Sequence, residues 1–335
     1  MKKCLVIKVG AIGDCLRITP IIHTLNDLDF EIDIFTSNLS APLFINNPFI
    51  KKIYTIKHYH NFLMMWWLFK KLKNISYDLV VNFETNTKIL NQAKKLNYEK
   101  YLDFFNTISI SNAQNIKNIY DINYIILTTL TNNLKKYRYE IYPSADEKIR
   151  VLNFLKNYSN KNKIAIHIGS AKTNRWLNKN QKDVRLWQFE KYIELIKYLL
   201  SNNYYIFLTG SKNEKTITNK ILKILNNQSI INISGIFNLR ELFVFINELD
   251  WFISGDTGIA HLANATKVKQ ICLCGATNGA VSAPPARENY FILQKNPDDC
   301  PPCYGIDENR KKHCAFNRCM ANISEQDVID IIRKN

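Results

Sequence analysis

The chain has 335 residues and a formal net charge of +16, with 46% hydrophobic and 22% charged residues. That length and balance exclude a disordered chain or a disulfide-stapled mini-protein and point to two domains with ample core. The charge fits polyanionic partners, phosphorylated sugars or an anionic membrane face, as well as it fits a lysine-rich solvated surface. No nucleic-acid motif accompanies it, so nucleic acid is not an expected partner.

The run Cys4 to Val9 is too short for a signal core, and no stretch reaches the roughly 18 apolar residues of a membrane span. A cytoplasmic protein is therefore expected, at most peripheral at the cytoplasmic face of the inner membrane. Leu5 to Val9 reads as a strand, followed by a tight loop at Gly10 and Gly13 and then a helix. Further strands are expected at Glu31 to Thr36 and Asp78 to Phe83, the latter after an aromatic helix over Phe62 to Leu72. This alternation, which runs to about Tyr142, implies βαβ units and a parallel sheet. Tyr142-Pro143-Ser144 and a helix from Ala145 to Tyr158 form the junction.

A second series follows, with strands at Lys163 to Ile168, Tyr204 to Leu208, Ile230 to Ile233, Trp251 to Ile253 and Gln270 to Leu273. Helices are expected at Phe189 to Leu200 and at Leu239 to Glu248, the second capped by Asn238. A last amphipathic helix spans Ser324 to Arg333. The expected domains are residues 1–155 and 156–320, with the C-terminal helix in 321–335 free to pack back on the first. Ligands of open parallel sheets bind beyond the carboxyl ends of the strands, and the loops after Val9, Ile168, Leu208, Ile253 and Leu273 all carry glycine.

Two of these loops stand out. Gly10-Ala-Ile-Gly-Asp14 lets a ligand approach the backbone and points a helix N-terminus at it. Asp14 could be a general base or simply an N-cap. The segment is not the full dinucleotide fingerprint, because the third glycine is missing. In Ser254-Gly-Asp-Thr-Gly-Ile-Ala-His261, two glycines flank Asp256 and Thr257 directly after a strand. The following helix begins with free N–H groups suited to a diphosphate. His261 lies one turn in, either facing the same ligand or buried in the core.

The octet, the opening Gly10-Ala-Ile-Gly-Asp-Cys-Leu-Arg-Ile-Thr-Pro20 and the close Cys300-Pro-Pro-Cys303, Arg318-Cys-Met320 and Ile323-Ser324 together resemble glycosyltransferase family nine, the ADP-heptose:lipopolysaccharide heptosyltransferases. The resemblance spans nearly the whole chain. It implies an α/β GT-B fold of two Rossmann-like domains facing a cleft. The first would take an anionic glycolipid acceptor (Kdo-lipid A, a core heptose or, less often, a protein) and the second an ADP-sugar donor. It implies Asp14 as the base of an inverting transfer, with Gly10 and Gly13 beside it. Asp256, Thr257, Gly258 and His261 would hold the diphosphate, Glu214 the ribose, and Ser170 and Ala171 the floor beneath the phosphates. The family's basic residue before a Trp has two candidates here, Arg175 before Trp176 and Arg185 close to Trp187, with Arg185 preferred. Either guanidinium could pair with a diphosphate. The chain lacks an Asp-x-Asp pair of the sort that holds a divalent ion in metal-dependent transferases, so no cofactor is expected for catalysis.

Cys300, Cys303, Cys314 and Cys319 have spacing that could hold structural Zn or Fe, with His313 as an alternate ligand. Similar cysteines in ordinary members of the family have no metal assigned. The aromatic run Phe62 to Phe69, with Lys70, Lys71 and Lys73 after it, is expected to be a core helix and alternatively a contact with an anionic membrane. A non-catalytic nucleotide-binding protein is the rival class, and it would be expected to lack Asp14.

Overall fold

The structure, a computed structural model, describes residues 2–57, 62–104, 118–169, 185–303, 314 and 317–335. The chain divides into two compact units, Met1–Ser144 and Ala145–Asn335.

The first unit holds a five-stranded sheet of β1 (Lys2–Ile7), β2 (Phe30–Ser37), β3 (Ile50–Ile56), β4 (Ser76–Asn82) and β5 (Asn97–Asp103) in the order β3-β2-β1-β4-β5. Every pairing is parallel. β1 is central, and its Cys4 to Ile7 run is buried on both faces, as helices above and below a parallel sheet require. The chain order reverses between β1 and β4, so a crevice opens there at the carboxyl ends of the strands.

The second unit repeats the plan with six strands: β6 (Asn162–His167), β7 (Tyr204–Thr209), β8 (Ile230–Asn232), β9 (Trp251–Gly255), β10 (Lys269–Cys274) and β11 (Tyr290–Gln294), in the order β11-β10-β9-β6-β7-β8. These pairings are also parallel. The switch lies between β6 and β9, which places the carboxyl end of β6 beside the octet.

The helix caps follow the sequence. The Asn238 side chain accepts from the amides of Arg240 and Glu241 at 2.9 Å each, and Glu241 reaches back to the Asn238 amide at 2.8 Å. Ser324 and Asp327 close the last helix in the same way.

Two boundaries differ from the expected ones. The helix Ala145–Leu155 belongs to the second unit, because Glu147 accepts from Arg240 at 2.7 to 3.0 Å and Phe154 packs its ring on Phe237 and Phe245. The C-terminal helix Glu325–Lys334 buries Val328, Ile329 and Ile332 in the second core, and Trp187 Nε1 donates to the Ile323 carbonyl at 2.9 Å. Its apolar face is therefore spent within the second unit. The sheet-edge strands β3, β5 and β11 escape the periodicity reading because each is only partly buried, which weakens the alternation.

Candidate active site

In the first unit, the loop after β1 is tied down on both sides. Ser40 Oγ donates to the Gly10 carbonyl at 3.2 Å, and Glu84, at the end of β4, accepts from the Val9 amide at 2.6 Å. Lys8 Nζ lies 3.4 Å from Glu84 and donates to the Phe83 carbonyl at 3.0 Å. Glu84 is buried, and this ion pair offsets part of its desolvation.

Asp14 sits in the first turn of the helix Ile12–Leu16, whose N-cap is Ala11, so Asp14 is not the capping residue. Its Oδ1 accepts from Arg17 Nη1 at 2.9 Å; the Arg17 side chain is 8% exposed and that of Asp14 is 42% exposed. One edge of the carboxylate is thus held by a buried cation, while the side chain as a whole stays partly open to solvent. Burial pushes the Tyr139 hydroxyl up from its ordinary range, and the adjacent Arg17 opposes that shift. A side chain at Gly10 would meet Asp14 Oδ2 at 3.1 Å and Lys8 Cε at 3.2 Å, so glycine leaves the carboxylate its room. Gly13 is buried in the same helix.

A cavity of about 370 Å³ opens at this end of the sheet, lined by Gly10, Ala11, Ser37, Lys57, Glu84 and Asn86 among others. A larger concavity of about 500 Å³ lies at the opposite end, by Lys2, Asp29, Phe30 and Asp78, where strands begin and ligands of such sheets do not bind. Asp27-Leu28-Asp29 has the Asp-x-Asp form and lies at that opposite end. Asp27 accepts there from the Tyr137 hydroxyl, and the Asp29 carbonyl accepts from the Lys2 amide at 3.3 Å. It is a structural turn remote from the loops described above.

In the second unit, β9 delivers the octet. Ser254 pairs with His167 across the β6–β9 ladder. Thr257 is the N-cap of the helix Gly258–Asn264 in extended conformation, yet its side chain makes no capping hydrogen bond. The Thr257 and Ser254 hydroxyls are both buried without a hydrogen-bond partner among the described residues. A buried hydroxyl left unpaired costs about 1–3 kcal/mol, so the loop is built to be completed by something else. Asp256 Oδ2 accepts from Ser282 Oγ at 3.2 Å, and both Asp256 and His261 are buried. The Arg185 carbonyl lies 3.5 Å from where a Cβ on Gly255 would stand, which brings that part of the chain onto the octet.

Glu214 ends a short 3₁₀ turn, Lys212–Glu214, as the partner of Ser211 in a capping box, and its Oε2 accepts from the Ser211 amide at 2.6 Å. It lies so close to Gly169 that a Cβ there would fall 1.9 Å from Glu214 Oε1. Glu214 therefore reaches the end of β6 at Gly169. Ser170, Ala171 and Arg175 lie outside the described residues, as does His313.

His167 Nδ1 is 3.1 Å from Thr209 Oγ1. Burial lowers its pKa and the Glu214 carboxylate opposes that shift. A histidine held neutral in the fold but free to protonate in the unfolded chain destabilises the fold as pH falls through the unfolded value of about 6.5, and the effect levels off below the folded value. His167→Gln should therefore flatten the loss of melting temperature between pH 7 and pH 5. An unchanged slope would remove His167 from the acid response.

The four late cysteines belong to the second core, with Cys303 and Cys319 buried in it and Cys300 and Cys314 partly buried against it. Burial, then the neighbouring Cys300, pushes the Cys319 thiol up to about 12. Among the described residues no group of three or more His, Cys, Asp or Glu is arranged to hold a metal ion.

Sequence reasoning missed Lys8, Arg17, Glu84 and Ser282. Arg17 carried a local signal, since it stands three residues after Asp14 on a helix. Glu84 carried none, because only the parallel sheet brings it to Val9, 75 residues away.

Residues 143–313 match the family model for glycosyltransferase family 9 (heptosyltransferase). The whole chain is similar to lipopolysaccharide heptosyltransferase 1 of Campylobacter coli, 25% identical over 99% of this chain and 98% of that protein. Among solved structures, a glycosyl transferase family 9 protein from Veillonella parvula superposes with a TM-score of 0.78 at 17% identity, covering 99% of this chain and 96% of that one. The E. coli ADP-heptose lps heptosyltransferase II superposes with a TM-score of 0.76 at 16% identity, covering 99% and 98%.

Proposed function

The chain belongs to glycosyltransferase family 9 and is a glycosyltransferase of GT-B fold, and we propose that it moves heptose from ADP-L-glycero-D-manno-heptose to an inner-core lipopolysaccharide acceptor, Kdo-lipid A or a core heptose. The Campylobacter relative is named for lipopolysaccharide heptose transfer and the E. coli enzyme for ADP-heptose. The reaction is placed at the cytoplasmic face of the membrane that carries the acceptor. Among the described residues no helix is long and apolar enough to cross a membrane.

The observation that carries this reading is the buried Thr257 hydroxyl, without a hydrogen-bond partner among the described residues, at the entry to the helix Gly258–Asn264. That loop sits at the switch point of the second sheet, inside the family-matched segment. The first backbone amides of this helix, which have no partner one turn earlier in it, and the Thr257 hydroxyl donate to diphosphate oxygens. Asp256 shapes the loop through Ser282, and Glu214 accepts from a ribose hydroxyl. Ser170, Ala171 and His261 complete the phosphate bed. Arg185 is the cation that meets the growing charge on the departing ADP, and Arg175 is the reserve candidate.

Asp14 takes the proton from an acceptor hydroxyl. That oxygen attacks the anomeric carbon from the face opposite the diphosphate, and the bond to ADP breaks with its electron pair staying on phosphate. The new linkage is inverted. Arg17 orients Asp14 through the 2.9 Å hydrogen bond. Charge is met by peptide dipoles and a guanidinium, so no cofactor takes part in the proposed transfer.

Thermal-shift measurement with ADP, UDP, GDP and CMP tests the donor. ADP at about 100 times its Kd should add about 2.7 kcal/mol of stability, and the other three should add far less. Stabilisation by UDP without ADP would overturn the assignment. Transfer from ADP-heptose to purified core acceptor then tests the reaction itself.

A further inference from the structure

The helix Phe62–Lys73 is divided lengthwise. Met65, Leu68, Phe69 and Leu72 are buried in the first core, where the Phe69 ring meets Phe35 edge-on at 5.3 Å. The other face turns outward: Met64, Trp66 and Trp67 are 40, 48 and 61% exposed. Lys70, Lys71 and Lys73 stand beside them, all exposed, and the helix holds no acidic residue. Lys70 Nζ lies 5.1 Å from the Trp66 ring centre and Lys71 Nζ lies 6.0 Å from that of Trp67.

A helix face meant only for water is commonly filled with Glu, Lys and Gln. This one spends two adjacent tryptophans on solvent, each with a large apolar surface and one polar N–H. Tryptophan flanked by lysine, with no carboxylate, is the composition of a helix lying in the headgroup boundary of a bilayer. Lysine stems can run along such a surface while their ammonium groups reach phosphate. At about 18 Å the helix is too short to span a membrane, so it would lie in the plane.

We propose that this face docks on an anionic phospholipid surface, with Met64, Trp66 and Trp67 entering the headgroup boundary and Lys70, Lys71 and Lys73 pairing with lipid phosphates. The proposal rests on the reading of the acceptor as a lipid-anchored glycan. The net charge of +16 adds attraction of the same sign. The helix starts within five residues of Lys57, which lines the cavity at the carboxyl ends of the first sheet. Docking there would keep that cavity beside the membrane surface from which a lipid-anchored acceptor is drawn.

Co-sedimentation of the full chain with vesicles tests the proposal, comparing pure phosphatidylcholine with phosphatidylcholine containing phosphatidylglycerol. Binding is expected to the anionic vesicles, to weaken with salt as screening shortens, and to be much weaker to the zwitterionic ones. Trp66→Ala with Trp67→Ala should weaken it by about tenfold or more, since each removes apolar surface from the boundary. Lys70→Glu with Lys73→Glu should do the same at low salt. Stabilisation by ADP, measured on each variant, checks that the protein remains folded. Docking is overturned if wild-type protein ignores anionic vesicles, or if both double variants bind them as wild type does. It is equally overturned if the chain is a dimer that the tryptophan variant turns into a monomer, which would give the face to a second copy. Transfer to a deacylated, water-soluble acceptor should be unaffected by either double variant. Vesicle binding without any transfer by wild-type protein would sink the functional reading and leave the docking face standing.

Discussion

Asp14→Asn should lower kcat for sugar transfer by about a thousandfold, within the range found for removing a general base, while ADP still raises the melting temperature as in wild type. Asparagine keeps the shape and an oxygen for Arg17, so the helix Ile12–Leu16 has little reason to move. What it loses is the capacity to accept a proton. Asp14 suits the role by placement: it is 42% exposed at the side chain while its partner Arg17 is 8% exposed, so the anchor is buried and the working edge is open. Arg17→Met should also depress kcat without changing ADP stabilisation, and Arg17→Lys should recover part of it by restoring a cation at the same carboxylate. Normal turnover by Asp14→Asn would dismiss the residue as the base. Loss of ADP stabilisation in the same variant would instead mean that Asp14 supports the fold.

Gly169→Ala should cost the protein both stability and its nucleotide. The added Cβ would stand 1.9 Å from Glu214 Oε1 and 2.2 Å from its Cδ. No side chain tolerates that approach, so either Glu214 swings out or the end of β6 bends. Swinging out breaks the Ser211–Glu214 capping box and removes the carboxylate proposed for the ribose. Overpacking and the lost cap together suggest about 2–4 kcal/mol, with ADP stabilisation falling to near zero. The double variant Gly169→Ala, Glu214→Ala separates the two effects. Removing the carboxylate relieves the collision, so melting temperature should recover in part while ADP binding does not, a coupling that a double-mutant cycle reads directly. Full ADP binding by the double variant would show that Glu214 is structural alone.

The aromatic helix shows how far pattern reading reaches. An apolar run of helical period is most often core, and Met65, Leu68, Phe69 and Leu72 obey that expectation. Trp66 and Trp67 do not, and composition could not separate the two faces, because both are apolar. Only the packing of the helix on β-strands decides which ring is spent inside. The domain boundary has the same cause. The helix from Ala145 reads as the junction, with residues up to 155 in the first domain, yet Glu147 meets Arg240 more than ninety positions later, and that pair assigns the helix to the second unit.

What the sequence determined by itself was local: apolar strands ending in glycine turns, the Asn238 and Ser324 caps, Asp14 and the octet Ser254 to His261. These depend on backbone geometry and on residue periods within a dozen positions, so they are legible in one chain. What only the tertiary structure decided was compensation at a distance. Glu84 holds the Val9 amide because β4 lies beside β1; Arg17 can be buried because Asp14 and Tyr139 surround it; and Gly169 must be small because Glu214 arrives from after β7. A charge or hydroxyl in a crevice is stable only against partners that the strand order brings there, and strand order is a property of the folded sheet rather than of any one segment.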